Sequence, residues 1–420
     1  MSCSTVSQRT FSLIIVFILL SITLPLIQLP TISENSSGHE FIITQESSTR
    51  DYWPTDGWRY STPAEQGMDN DTLTEMMDLI EEQEYPIDSV LVIKNGYAVF
   101  EEYPHEYYPA GHLKLLHSVT KSFTSTLIGI AIEQGLLSGV NETALSFFPE
   151  YDIANPDSRK DNMTIEDLLT MTAGFEWDEQ SAPYEYGSGN SQMEMMESPD
   201  SVQYVLDRPM SYTPGEHWVY SAGASILLGA IVQQVANQTT EEFAEEFLFE
   251  PLGFGPSVWY EVSGGWCNAP SGLCLTTRDI AKLGFLYLNN GTWNGTQILP
   301  SDYVSNAIEP IEIRNSYGSE FDYGWHWWIR EDLGVYFAWG RHGQKIMVAP
   351  EYDLVVAFTA HVPDDGYDPE FELFRNYILP AIIDSSYAIT PLPVIEILAV
   401  SGIGILVIVA IVSYNRKKTL

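Results

Sequence analysis

Strand-like runs sit near both ends of the folded part of this 420-residue chain and helical patterns fill its middle, which narrows the folds open to it more than any other feature. Ser89-Val90-Leu91-Val92-Ile93 and Tyr97-Ala98-Val99-Phe100 flank Lys94-Asn95-Gly96, and Asn-Gly between two apolar runs is a strong hairpin signal. Beyond Pro300, further strand-like runs cover residues 323–329, 335–339, 345–349 and 354–359, and a closing helix is expected over 371–378. Helical spacing appears at Leu73, Met76, Met77 and Ile80 after Asp69-Asn70-Asp71, then at Leu127, Ile128, Ile130 and Ala131. Further helices are expected over 164–169, 201–206, 226–236, 241–249 and from Arg278. Residues 51–385 therefore read as one α+β domain. An antiparallel sheet is built from both ends of the domain, with flanking helices and an inserted helical lobe.

The flanks carry a different signal. Residues 11–27 are apolar and follow Arg9, so 1–33 is expected to be a signal peptide or signal anchor, with a polar linker over 34–50. A second linker is expected over 386–393. The nineteen residues from Val394 to Val412 would span roughly 28 Å as a helix. A transmembrane helix is accordingly expected over 394–413. Arg416, Lys417 and Lys418 in the tail 414–420 place that tail in the cytoplasm and the domain outside it, at the cell membrane. Sequons at Asn35, Asn70, Asn141, Asn162, Asn237, Asn290 and Asn294 are compatible with export. Cys267 and Cys274 are the two cysteines of the domain, and either a small-loop disulfide or two free buried thiols fits them. The formal charge of -38 argues against nucleic acid and anionic lipid as partners.

Three stretches carry candidate chemistry. Ser118 and Lys121 are three residues apart at the head of a helix, so their side chains share a face. A serine hydroxyl becomes a useful nucleophile when an adjacent base takes its proton, and a lysine does this as a neutral amine once burial or a nearby cation lowers its pKa. Tyr220-Ser221-Ala222 stands at a turn before a helix, and a tyrosine beside the nucleophile can relay a proton. Gly340-Arg341-His342-Gly343-Gln344 precedes a strand, where main-chain N–H groups can complete an oxyanion hole. Trp325, Trp327, Trp328 and Trp339 are candidates for an aromatic acyl pocket, though Trp327 and Trp328 would face opposite sides of a strand. Met193, Met195 and Met196 fall in a stretch that reads as an exposed loop bordering the site. There is no G-x-S-x-G, and the eight histidines form no H-E-x-x-H or H-x-H, so neither a nucleophile elbow nor a catalytic metal is expected.

The order and content of these stretches resemble the serine beta-lactamase-related hydrolases: class C beta-lactamases, penicillin-binding carboxypeptidases, and esterases and amide hydrolases of the same fold. The resemblance runs from about Trp58 to Pro380. It rests on Ser118-Val119-Thr120-Lys121-Ser122-Phe123, on the stretch from Thr164 to Gly174, and on Tyr212-Thr213-Pro214-Gly215 before Tyr220-Ser221. Ser271-Gly272-Leu273 with Thr277-Arg278-Asp279 completes it. It implies Ser118 as the acylated nucleophile, Lys121 as its base and Tyr220 as proton relay. The N–H groups of Ser118 and Gln344 would form the oxyanion hole, and Arg341, His342, Gly343, Ala222 and Trp339 would contact substrate. It implies no cofactor and a small ester, amide or peptide substrate. D-amino-acid peptide hydrolysis, or a non-catalytic binding role on the same fold, is the alternative. One departure bears on substrate: the beta-lactamase pattern has asparagine two residues after the tyrosine, and this chain has Ala222.

Overall fold

The computed structural model describes residues 50–311, 321–363, 368–383, 394–399 and 408–413. The expected leader (1–33), the linker up to residue 49, the linker 386–393 and the tail 414–420 lie outside the described residues.

A helix, α1 (Asn70–Glu82), opens the domain, and the Asp69 side chain caps it by accepting from Asp71 N–H. Strands β1 (Ile87–Lys94) and β2 (Tyr97–Glu102) then form the expected hairpin. Asn95 and Gly96 both have positive φ, 54° and 83°, as the tight turn that matches strand twist requires. The helical lobe follows. It includes α2 (Val119–Glu133), α3 (Ile165–Leu169), which starts on a Thr164/Asp167 capping box, and α4 (Ala222–Ala236), capped by Ser221. Helix α5 (Thr277–Leu288) returns the chain to the sheet.

The remaining strands are β3 (Asp322–Tyr323), β4 (Trp328–Arg330), β5 (Val335–Gly340), β6 (Gln344–Ala349) and β7 (Leu354–Ala360). The sheet order is β3-β4-β5-β6-β7-β1-β2, and every pairing is antiparallel. Val90 pairs with Phe358 and Leu91 with Ala357, so the two ends of the domain meet in the sheet's middle, as the order of the patterns implied. Helix α6 (Pro369–Leu373) continues as a wider turn through Phe374–Ile378. Strands β1, β6 and β7 are buried along their whole length, which is why their apolar stretches Val90–Ile93, Ile346–Ala349 and Leu354–Phe358 run without alternation.

Two expectations change. The run 323–329 is not one strand but the hairpin β3-β4, because Gly324 and the positive φ of His326 (62°) turn the chain between them. The expected helix over 394–413 is replaced by two paired strands, β8 (Val394–Ala399) and β9 (Ile408–Ser413). Valine and isoleucine dominate both segments, and Gly402 and Gly404 fall between them. An apolar run by itself does not separate helix from strand, and β-branched content favours the strand. Among the described residues no helix is long and apolar enough to cross a membrane. Of the two readings left open for Cys267 and Cys274, the structure shows the second: both are free and buried. Cys267 pairs with Glu261 in one two-stranded ribbon, while Cys274 pairs with Leu115 and Val258 in a separate small sheet, so no disulfide joins them.

Candidate active site

Helix α2 runs through the interior, and its first thirteen residues are all buried. A helix this rich in hydroxyls stays inside because each finds a partner. Ser122 Oγ donates to His326 O (2.7 Å), Thr124 Oγ1 to Ala269 O (2.7 Å) and Ser125 Oγ to Trp325 O (2.9 Å). The residue before the nucleophile, His117, takes a positive φ of 48°. That left-handed step, unusual for a side chain with a Cβ, turns the chain so that Ser118 stands at the N-cap position with its side chain in the cleft.

One turn on, Lys121 Nζ lies 3.1 Å from Ser118 Oγ and donates to Pro270 O at 3.1 Å. The Lys121 ammonium lies 4.9 Å from the centre of the Tyr220 ring. Burial lowers the Lys121 pKa to about 8, against an opposing pull from Glu179. Tyr220, 7% exposed, stacks against Trp328 with ring centres 6.0 Å apart. The structure thus brings Ser118, Lys121 and Tyr220 together from two helices that are far apart in sequence.

The cleft has a volume of about 1500 Å³, and Ser118, Tyr220, Trp328, Trp339, Arg341 and His342 all line it. The Arg341 guanidinium lies 4.8 Å over the Tyr184 ring, and His342 Nδ1 donates to Val362 O at 2.8 Å. Of the four tryptophans, Trp328 and Trp339 face the cleft. Trp325 and Trp327 belong to the core, Trp327 packing on Tyr287 and Tyr336. The methionine stretch is mostly the short helix Ser191–Glu197, from which Met193 and Met196 reach the cleft while Met195 is buried.

Two positions differ from expectation. Gln344 opens β6, which has strand neighbours on both sides. Its side-chain amide donates to Ala360 O at 2.7 Å, and it does not face the cleft. The main chain of Gly340, at the end of β5, lies against the head of α2. A Cβ there would collide with Leu116 O and lie 3.2 Å from Val119 N. Beyond Phe337, which pairs with Trp328, β5 has no strand partner on that side among the described residues. Ala222 is fully buried in the first turn of α4 and does not line the cleft. Its N–H donates to Glu179 Oε2 at 2.8 Å.

Two residues escaped the sequence reading. His326 is fully buried, with its pKa lowered by burial to about 3, so the ring is neutral. Its Nδ1 donates to Leu169 O (2.9 Å), and Nε2 accepts from Ser225 Oγ (2.9 Å). It ties α3, α4 and the β3-β4 hairpin to the Ser122 turn of α2. The other is Glu179, in the loop before the Met193 helix. Neither sits in a periodic or motif context that would flag it.

Fold and site together define a serine hydrolase with a buried lysine beside Ser118. The family model described as Beta-lactamase matches residues 69–371, and the chain belongs to that family. Among curated proteins, the 6-aminohexanoate-dimer hydrolase of Paenarthrobacter ureafaciens is 23% identical, over 72% of this chain and 80% of its own. The lovastatin esterase of Penicillium rubens is 27% identical over 35% of this chain and 40% of its own. Among solved structures, a putative 6-aminohexanoate-dimer hydrolase from Bacillus anthracis superposes with a TM-score of 0.62 at 21% identity, covering 72% of this chain and 80% of that one. EstCE1, a hydrolase with promiscuous acyltransferase activity, gives 0.62 at 16% identity, covering 77% and 98%.

Proposed function

We propose that the protein hydrolyses a small ester or amide through an acyl-enzyme on Ser118. The observation that carries this is the 3.1 Å approach of Ser118 Oγ to a Lys121 amine that is buried and lowered to about 8. At neutral pH a minor fraction of such an amine is unprotonated and able to accept the serine proton. As the Oγ–carbon bond forms, the carbonyl pair moves onto oxygen. The Ser118 N–H at the helix head and a main-chain N–H at the Gly340–Arg341 end of β5 receive it. Tyr220, beside the Lys121 amine, passes the proton to the leaving group. Water then attacks the acyl carbon, and the same groups run in reverse.

Relatives that act on an amide dimer and on an ester support this pair of bond types, and Ala222 disfavours beta-lactams because no side-chain amide is offered there. Trp328 and Trp339 beside the nucleophile suit a flat or apolar acyl group. We also place the domain outside the cytoplasm, on the apolar run 11–27 after Arg9 and the seven sequons. Protease treatment of intact cells tests this, and a domain digested only after lysis would reject it.

A fluorophosphonate probe on the wild type and Ser118→Ala tests the acyl-enzyme. Labelling that depends on Ser118 is expected, and its absence would sink the proposal. Turnover of short-chain nitrophenyl esters, the 6-aminohexanoate dimer, a D-amino-acid dipeptide and a chromogenic cephalosporin then places the substrate. Fast cephalosporin turnover would show that Ala222 has been given too much weight.

A further inference from the structure

Glu179 is 1% exposed, and its placement is unusual for a carboxylate. Oε2 accepts from Trp177 Nε1 (2.7 Å) and from Ala222 N–H (2.8 Å). Oε1 has no hydrogen-bond partner among the described residues. Burying a carboxylate with one oxygen unsatisfied costs several kcal/mol unless a nearby charge compensates. Lys121 is the cation that opposes this cost. Burial still leaves the Glu179 pKa raised and the Lys121 pKa lowered to about 8, and the attraction between the two acts against both shifts. The neighbouring ionisable groups do not take over this role. Asp178 repels Glu179, His326 is neutral, and Tyr220 meets Lys121 through its ring.

We propose that Glu179 is the positioning residue for the base: its carboxylate, anchored through the backbone of Ala222 and the Trp177 indole, stabilises the protonated form of Lys121 and so strengthens it as acceptor of the Ser118 proton. The proposal rests on the reading of Lys121 as the base. When Ser118 Oγ bonds to the acyl carbon, its proton passes to Lys121 Nζ. The new ammonium then faces a negative charge already in place, with no solvent to reorganise. The anchoring explains why position 222 tolerates alanine: what the site uses there is the main-chain N–H.

The test is the rate at which a fluorophosphonate labels Ser118 between about pH 6 and pH 10, for wild type, Glu179→Gln and Glu179→Asp. Glutamine keeps an acceptor for Trp177 and Ala222 but removes the charge. Wild-type labelling should rise with pH around a midpoint near the Lys121 value of about 8. In Glu179→Gln the midpoint should fall by about one unit, because an ammonium without its counter-charge loses its proton more readily. The plateau should also drop roughly three- to tenfold, because the amine is the weaker base. Glu179→Asp should keep the midpoint. An unmoved or raised midpoint in folded Glu179→Gln, checked by its circular dichroism melt, overturns the proposal. Should Glu179→Gln not fold, Glu179→Asp decides: a retained midpoint supports the charge role, and a midpoint lowered by about a unit despite the retained charge overturns it. Labelling that persists in Ser118→Ala overturns the parent reading. Ser118-dependent labelling with an unmoved midpoint overturns only the role of Glu179.

Discussion

Replacing Gly340 by alanine tests whether the close approach of β5 to the nucleophile helix sets the rate. Gly340 has φ −119° and ψ 148°, an extended conformation open to any residue, so space and not backbone freedom demands glycine here. An added Cβ would collide with Leu116 O, lie 3.0 Å from Gln344 Cβ and 3.2 Å from Val119 N. Leu116 O cannot swing aside, because it accepts from Val119 N at 3.2 Å in the turn that opens α2. Strand and helix head must therefore part. Overpacking of this kind costs about 1–3 kcal/mol, small enough for the domain to stay folded. The activity loss should be far larger. The parting moves the β5 main chain away from Ser118, and losing one oxyanion donor costs about 10²–10³-fold. Guanidinium unfolding measures the first effect, and kcat/KM on a nitrophenyl ester, with the labelling rate of Ser118, measures the second. A Gly340→Ala protein within about threefold of wild type in kcat/KM would refute the argument that this edge forms half of the oxyanion hole.

Glu370 gives a stability prediction with a defined sign. Burial beside Asp368 and against the pull of Lys345 raises its pKa to about 8, so the folded protein holds a proton that the unfolded chain releases at lower pH. Stability should therefore fall as pH rises from about 4.5 to 8. Glu370→Gln should flatten that slope relative to wild type, and urea midpoints measured across the window check it; an unchanged slope rejects it. Cys267 and Cys274 are free, so a reducing agent should leave the thermal midpoint unchanged, and both thiols should react with a maleimide once the protein is unfolded. A reductant-sensitive midpoint would show a disulfide after all.

The sheet and the meeting of Ser118 with Lys121 were legible in the sequence because each leaves a local record. Asn-Gly between two apolar runs marks the β1-β2 hairpin, further apolar runs mark β6 and β7, and a serine three residues before a lysine marks the head of α2. The same locality explains the failures. Residues 323–329 looked like one strand because aromatic content hides a turn whose only signals are Gly324 and a histidine in a left-handed conformation. The run 394–413 looked like a helix because length and hydropathy were read ahead of its β-branched content. Gln344 was assigned to the oxyanion hole from the family register, and the structure pairs it with Gly340, whose main chain lies against the head of α2.

Glu179 and Ala222 show the deeper limit of motif reading. Position 222 registered as a loss, since a side chain expected after Tyr220 was missing, and the loss was turned into an argument about substrate. The structure gives the position a different meaning: Ala222 contributes its N–H, and that N–H holds a carboxylate forty-three residues away in sequence. A motif table compares side chains position by position, so it records what a position lacks and is blind to what its backbone anchors. The electrostatic surroundings of Lys121 are set by burial and by that distant carboxylate, neither of which is a property of the Ser118 block. The pairing of Ser118 with Lys121 could therefore be expected from the sequence, whereas the surroundings of that lysine had to be read from the way the loop around Glu179 packs.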